Sequence, residues 1–95
     1  MTKWTLIDGK EMHEQHPDTF DIPTQAEWDL IEGGSIVKIG YSGTDGGERF
    51  WVEVLGVGSD GFYGRVVSEL YHTASHGMYL NNGVFFERRN VLDIA

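Results

Sequence analysis

The stretch RFWVEVLGVGSDGFYGRVVS, residues 49–68, decides the fold. Alternate residues in its first half fall on the two faces of a β-strand: Phe50, Val52 and Val54 on one, and Trp51, Glu53, Leu55 and Val57 on the other. Both faces hold apolar side chains, so one face is predicted to line a core and the other to need a cover.

Two turns could join this strand to the next one, Phe62 to Ser68. A three-residue loop, Ser59-Asp60-Gly61 with a left-handed glycine, sets Val54 opposite Val66, whereas a two-residue loop sets Val54 opposite Arg65. Burying Arg65 beside Val54 without a partner would cost roughly several kcal/mol. The three-residue loop is therefore predicted.

Upstream of Ser35 the signals are helical. Thr24 followed three residues later by Glu27 is a capping box, and we predict a helix over residues 25–32 that Gly33 ends in the left-handed conformation. Its apolar residues are the predicted cover for the outer face of the hairpin: Trp28, Leu30 and Ile31 over Trp51, Leu55 and Val57.

Further strands are predicted on both sides of the hairpin. The predicted strands run from Trp4 to Ile7 before an Asp8-Gly9 turn, Ile36 to Tyr41 before the loop SGTDGG, Val84 to Glu87 after an Asn82-Gly83 turn, and Val91 to Ile94. The predicted class is mainly β with an N-terminal α element: a partly open SH3-like small barrel of four to five antiparallel strands with one N-terminal helix packed on it. We expect a single domain over residues 1–95, divided into an arm (1–23), a helix (24–33) and a barrel (35–94).

Length and composition limit the classes of protein that fit. The chain has 95 residues and no cysteine, which excludes a disulfide framework and a cysteine-ligated zinc site. It shows neither a basic start followed by an apolar leader nor a run of about 18 apolar residues. These features predict a cytoplasmic chain that does not span a membrane.

Negative charge is concentrated in the first third. The net charge is −8; residues 1–35 hold eight acidic and two basic side chains, and residues 36–95 hold seven acidic and five basic ones. Such a field repels nucleic acid and anionic membranes and speeds encounter with a basic protein. The alternative is that acidity only keeps the chain in solution.

Several strings carry a family resemblance: TFDIPTQAEWDLIEGGSIVKIGY from residue 19, GERFWVEV from residue 47, DGFYGRVVSEL from residue 60 and NNGVFFERRNVLDI from residue 81. They resemble an uncharacterised family of small bacterial and phage-borne domains of unknown function, with the motifs FxIPxxxE, GxxVK, ERMWVEV, GxLxN, GDxVxF and a final IxD. Ser68-Glu69, Asn82-Gly83 and the longer connection from His72 to Tyr79 depart from that pattern. The resemblance supports the fold and supplies no catalytic residue.

No catalytic, cofactor or metal motif is predicted. His72 and His76 have the spacing of ligands on a helical turn, as His13 and His16 nearly do, but no glutamate lies between the first two and loop histidines are favoured. With fifteen acidic residues, chance pairs such as Glu48 and Glu53 are expected, and a glycosidase pair needs a deeper cleft. Arg88-Arg89 is too small a basic patch for nucleic acid.

The leading hypothesis is a non-enzymatic protein-binding module of bacterial or phage origin that binds a basic, nucleic-acid-binding partner, as an immunity or anti-defence inhibitor would. The alternative is an accessory or structural domain that binds a peptide at its barrel rim. An enzyme is a third possibility. The candidate partner-binding residues are Glu11, Glu14, Asp18, Asp21, Tyr41, Tyr63, Tyr71 and Tyr79.

Overall fold

Six strands, two short helices and a 3₁₀ turn form the described part of the chain, residues 4–43, 46–70 and 77–95 of a computed structural model. In chain order these are β1 (Thr5–Leu6), α1 (Gly9–Gln15), α2 (Gln25–Asp29), β2 (Ile36–Gly43), β3 (Gly46–Val57), β4 (Phe62–Val66), β5 (Gly83–Phe86), the 3₁₀ turn (Arg88–Asn90) and β6 (Asp93–Ile94).

The strands form one antiparallel sheet in the order β1-β2-β3-β4-β5, and β6 also pairs with β2. β1 and β6 lie one after the other along the same edge of β2, because Leu6 pairs with Tyr41 and Ile94 pairs with Val37. Leu6 of β1 and Phe86 of β5 line one groove, so the two ends of the sheet approach each other. The mainly β class and a curled, half-closed small barrel are therefore confirmed.

The β3–β4 hairpin has a different register from the predicted one. Val66 lies opposite Val52, and Val54 lies opposite Gly64. The turn is also longer, because Val57 pairs with Phe62. Gly58 N–H donates to the Gly61 carbonyl at 2.8 Å to close this turn. The predicted pairing of Val54 with Val66 was wrong by two residues.

A β-bulge explains this register. The pairing next to the turn, continued without a break, would set Val54 against Arg65. The register shifts between Val54 and Gly56, so that Leu55 is an extra residue in β3. Val54 then faces Gly64, and Arg65 lies on the outer face, where it forms an ion pair of 2.8 Å with Glu53.

Helix α2 packs on the inner face of the sheet, not on the outer face as predicted. Trp28 and Ile31 are buried with the core residues, and Trp28 Nε1–H donates to the Val91 carbonyl at 3.3 Å. Leu30 is 76% exposed, and Leu55 on the outer side of β3 is 52% exposed. Leu30 and Ile31 follow the last helical residue, Asp29, and the chain there buries Ile31 and leaves Leu30 exposed.

The core lies between α2 and the inner face of the sheet. Its completely buried members lie in β2, β3, β4 and the segment before β6: Val37, Ile39, Phe50, Val52, Val54, Val66 and Val91. The alternation read from residues 50, 52 and 54 is confirmed, since all three are buried.

Local signals at the helix ends were partly correct. The Thr24–Glu27 capping box is present, but α2 ends at Asp29, and the left-handed glycine is Gly34 (φ 95°), not Gly33. Asp8 was predicted in a turn; it is instead the N-cap of α1, where its Oδ1 accepts from Glu11 N–H at 3.0 Å. The arm therefore contains a second helix that the prediction missed.

Two predicted turns also differ. β2 and β3 continue into the SGTDGG segment as far as the pair Gly43 and Gly46. Before β5, the left-handed residue is Asn81 (φ 71°), and Asn82 N–H donates to the Tyr79 carbonyl, so the turn precedes the predicted Asn82-Gly83 pair.

Candidate functional site

The acidic arm, now taken to include α2 and to reach residue 35, is held against the sheet by the 3₁₀ turn. Arg88 forms an ion pair with Asp29, and Arg89 forms one of 3.2 Å with Asp8. Asn90, the next residue, is buried: its Nδ2–H donates to the Ile7 carbonyl at 3.0 Å and its Oδ1 accepts from Glu87 N–H at 2.8 Å. The arginine pair, considered from the sequence only as a basic patch, remains exposed and contacts the arm, while Asn90 adds buried hydrogen bonds.

The predicted acidic residues of the arm are all exposed. Glu11 and Glu14 lie on α1, and Asp18 and Asp21 lie in the segment that follows it. Glu11 accepts a hydrogen bond from Gln15 at 3.3 Å. Asp21 differs from the others because it lines a groove together with Lys38 and Arg49. The structure thus leaves Asp21 beside basic side chains, outside any purely acidic surface.

Most basic side chains in the described ranges contact groups of the same chain. Arg65, Arg88 and Arg89 form the ion pairs given above. Lys38 Nζ lies 4.8 Å from the centre of a Trp51 ring, and the Arg49 guanidinium lies 5.0 Å from the centre of the Phe20 ring. Few basic side chains of the described ranges therefore remain available to pair with the exposed carboxylates.

The predicted tyrosines do not form one cluster. Tyr41 is half-buried and stacks on Phe50 with ring centres 5.7 Å apart, and burial raises the pKa of its phenol above the ordinary value. Tyr63 and Tyr79 are exposed, and Tyr71 lies outside the described residues. Of these side chains, Tyr41 packs against the core and Tyr63 lines an apolar surface.

That surface, here called the seam groove, lies between the β3–β4 turn and the end of β5 and has a volume of about 720 Å³. Its apolar walls come from the two ends of the sheet and from the hairpin: Leu6, Val57, Phe62, Tyr63, Phe85 and Phe86. Tyr63 and Phe85 are cross-strand neighbours with ring centres 4.8 Å apart. Phe85 is 76% exposed, the same fraction as Leu30.

Gly83 is part of the reason that Tyr63 borders the groove. Gly83 lies diagonally across from Tyr63 on the outer face, and a Cβ at Gly83 would collide with the Tyr63 hydroxyl, 2.2 Å away. The phenol ring therefore lies over the glycine and reaches Phe85. Sequence reasoning named Tyr63 but missed Phe85, although two adjacent phenylalanines in a strand must lie on opposite faces.

No metal site forms among the described residues, where no three histidine, aspartate or glutamate side chains come together. His13 Nδ1–H donates to the Phe20 carbonyl at 2.6 Å, which gives this ring a structural contact. His72 and His76 lie outside the described residues. In the ranges described, no helix is both long and apolar enough to cross a membrane.

Comparison with protein-family models, with curated proteins and with solved structures gives no match in any of the three sets. The resemblance to the phage-borne and bacterial domains therefore stays a prediction from the motif residues.

Proposed function

We propose that this chain is a non-enzymatic protein-binding module with an SH3-like barrel, and that its acidic arm binds a basic surface of a partner protein. The specific role that we propose is inhibition of a nucleic-acid-binding protein, as an immunity or anti-defence inhibitor of a bacterium or a phage would do. The observation that supports it best is an arm of exposed carboxylates fixed to the sheet by Arg88, Arg89 and Asn90.

A fixed arm favours binding in two ways. Of the eight acidic residues in the first 35, Asp8 and Asp29 bind arginines, and the other six are exposed. Their field steers a basic partner and raises the association rate, an effect that salt weakens because the Debye length is about 8 Å at physiological ionic strength. Because the arm is already ordered, binding does not have to order it.

The test compares two charge reversals of equal size. Glu14→Lys with Asp18→Lys changes the arm, and Glu69→Lys with Asp93→Lys changes exposed acidic residues elsewhere. Each immobilised variant and the parent chain is exposed to a cell extract, and bound protein is eluted by a salt gradient. We expect a salt-sensitive partner that the arm variant loses and the control variant retains.

Two results would contradict the proposal. Equal loss in both variants would mean that net charge alone retains the partner. Absence of any salt-sensitive partner would favour the interpretation that acidity only keeps the chain in solution.

A second candidate function is an accessory domain that binds a peptide at the barrel rim, with acidity incidental. The observation that favours it is the exposed ring pair of Tyr63 and Phe85 beside the seam groove. A partner lost on Phe85→Ala and retained by the arm variant would support this second function.

A further inference from the structure

We infer that an extended segment of a partner protein binds at the free edge of β5 and the seam groove. The segment adds to the sheet as a further strand, and it carries a large apolar side chain next to lysine or arginine. The inference rests on the second candidate function and does not need the acidic arm.

The backbone of β5 has the hydrogen-bonding groups for such an addition. Within the described ranges β5 pairs with β4 alone. Val66 N–H donates to the Asn82 carbonyl at 2.9 Å, so the backbone groups of Val66 face β5. Since the direction of these groups alternates along an antiparallel ladder, the register places Val84 and Phe86 in positions that bond to β4, and the N–H and C=O groups of Gly83 and Phe85 point away from it.

Among the described residues, this edge lacks the charge, the proline and the bulge that protect many edge strands. Gly83–Phe86 contains no charged residue and no proline. The β-bulge lies in β3, which β4 separates from β5, so it does not alter the free edge of β5. At the opposite end of the sheet, by contrast, the edge of β2 is covered by β1 and β6. Of the two terminal strands in the described ranges, β5 with four residues therefore offers a longer uncovered edge than β1 with two.

The side chains beside the edge fit an apolar residue. Phe85 projects from the outer face at 76% exposure, and Tyr63 supports its ring from β4. An added strand would place alternate side chains on the same face as Phe85, where they would cover it. One large apolar side chain in the segment is therefore expected to contact the Phe85 ring, which Tyr63 supports from the other side.

The negative charge of the groove favours basic residues beside the apolar residue of the segment. Asp60 and Glu87 line it, and no lysine or arginine does among the described residues. A flanking lysine or arginine would meet these carboxylates, whereas a flanking acidic residue would be repelled. A second copy of the chain is disfavoured as the occupant because each copy has a net charge of −8.

The test uses a defined peptide with capped ends, Lys-Thr-Val-Thr-Phe-Thr-Lys, and two controls: the same peptide N-methylated at alternate residues, and one with glutamate in place of both lysines. Binding is measured by calorimetry at physiological salt, and amide resonances are followed by NMR. We expect the parent peptide to shift the Gly83 and Phe85 amides and both controls to bind at least about tenfold more weakly.

Variants separate the groove from the rest of the surface. Phe85→Ala is expected to weaken the peptide about tenfold, and Leu30→Ala, at an equally exposed residue outside the groove, by less than about twofold. Binding that persists in Glu14→Lys with Asp18→Lys would support the groove even if the arm proposal fails.

Three results would overturn the inference. They are full affinity of the N-methylated peptide, equal effects of Phe85→Ala and Leu30→Ala, and self-association through β5 in sedimentation experiments, which would make a second copy the occupant.

Discussion

Gly64 on β4 shows how a single residue limits what the core tolerates. A Cβ at this position would lie 2.4 Å from Val52 Cγ1 and 2.7 Å from the Glu53 carbonyl oxygen. Val52 is completely buried, and the carbonyl belongs to the ladder between β3 and β4, so neither atom can move freely. We expect Gly64→Ala to lower the free energy of unfolding by about 1–3 kcal/mol, measured by urea denaturation.

Gly56→Ala is the matched control for Gly64→Ala. Gly56 lies in β3, directly opposite Tyr63, and nothing lies within 4 Å of a Cβ built there. Its substitution should change the free energy of unfolding by less than about 0.5 kcal/mol. A loss equal to that of Gly64→Ala would show that glycine flexibility near the bulge, and not space at Gly64, sets stability.

At the scale of elements, the docking of the arm depends on Asn90 more than on the arginines. Asn90 is 7% exposed and satisfies Ile7 and Glu87, so Asn90→Ala leaves two backbone groups without this partner. We expect it to cost about 1–3 kcal/mol of unfolding free energy and to speed amide hydrogen exchange in α1.

Arg89→Gln is the comparison for Asn90→Ala. The Arg89–Asp8 ion pair is largely exposed, with side chains 53% and 26% accessible, so its removal should cost between about 0 and 1 kcal/mol. A larger loss for Arg89→Gln than for Asn90→Ala would show that the ion pair holds the arm.

The sequence predicted elements where the signal was local. The capping box at Thr24 and the buried alternation from Phe50 to Val54 depend only on near neighbours, and both are present. The hairpin register was not predictable in this way. The predicted register buries Val54 and Val66 on one face just as the observed one does, and the two differ in the longer turn and the bulge at Leu55.

The candidate site was also predictable only where the signal was local. The exposed acidic residues of the arm follow from composition, but their fixation depends on Arg88–Asp29 and Arg89–Asp8, contacts between residues 59 and 81 positions apart. No local pattern predicts such contacts. Phe85 was within reach of the sequence, since inward Val84 and Phe86 leave it on the outer face.

For the whole molecule, charge is expected to oppose folding at low salt. The chain has a net charge of −8, and docking of the arm brings the negative side chains closer together. Repulsion among the exposed carboxylates then destabilises the compact state. The three ion pairs described above act in the opposite direction, but all are partly exposed, with at least 26% of each side chain accessible, and each contributes at most about 1 kcal/mol. Salt screens both effects.

We expect repulsion to dominate, so that raising sodium chloride from about 10 mM to about 150 mM increases the free energy of unfolding, by about 1 kcal/mol. Urea is the suitable denaturant because guanidinium would itself screen the charges. Replacing Glu14 by Gln, Asp18 by Asn and Glu32 by Gln removes three exposed carboxylates and should reduce this salt dependence. A free energy of unfolding that falls with salt would instead mean that the ion pairs between the arm, the 3₁₀ turn and the sheet outweigh the repulsion, and that the arm is held chiefly by charge.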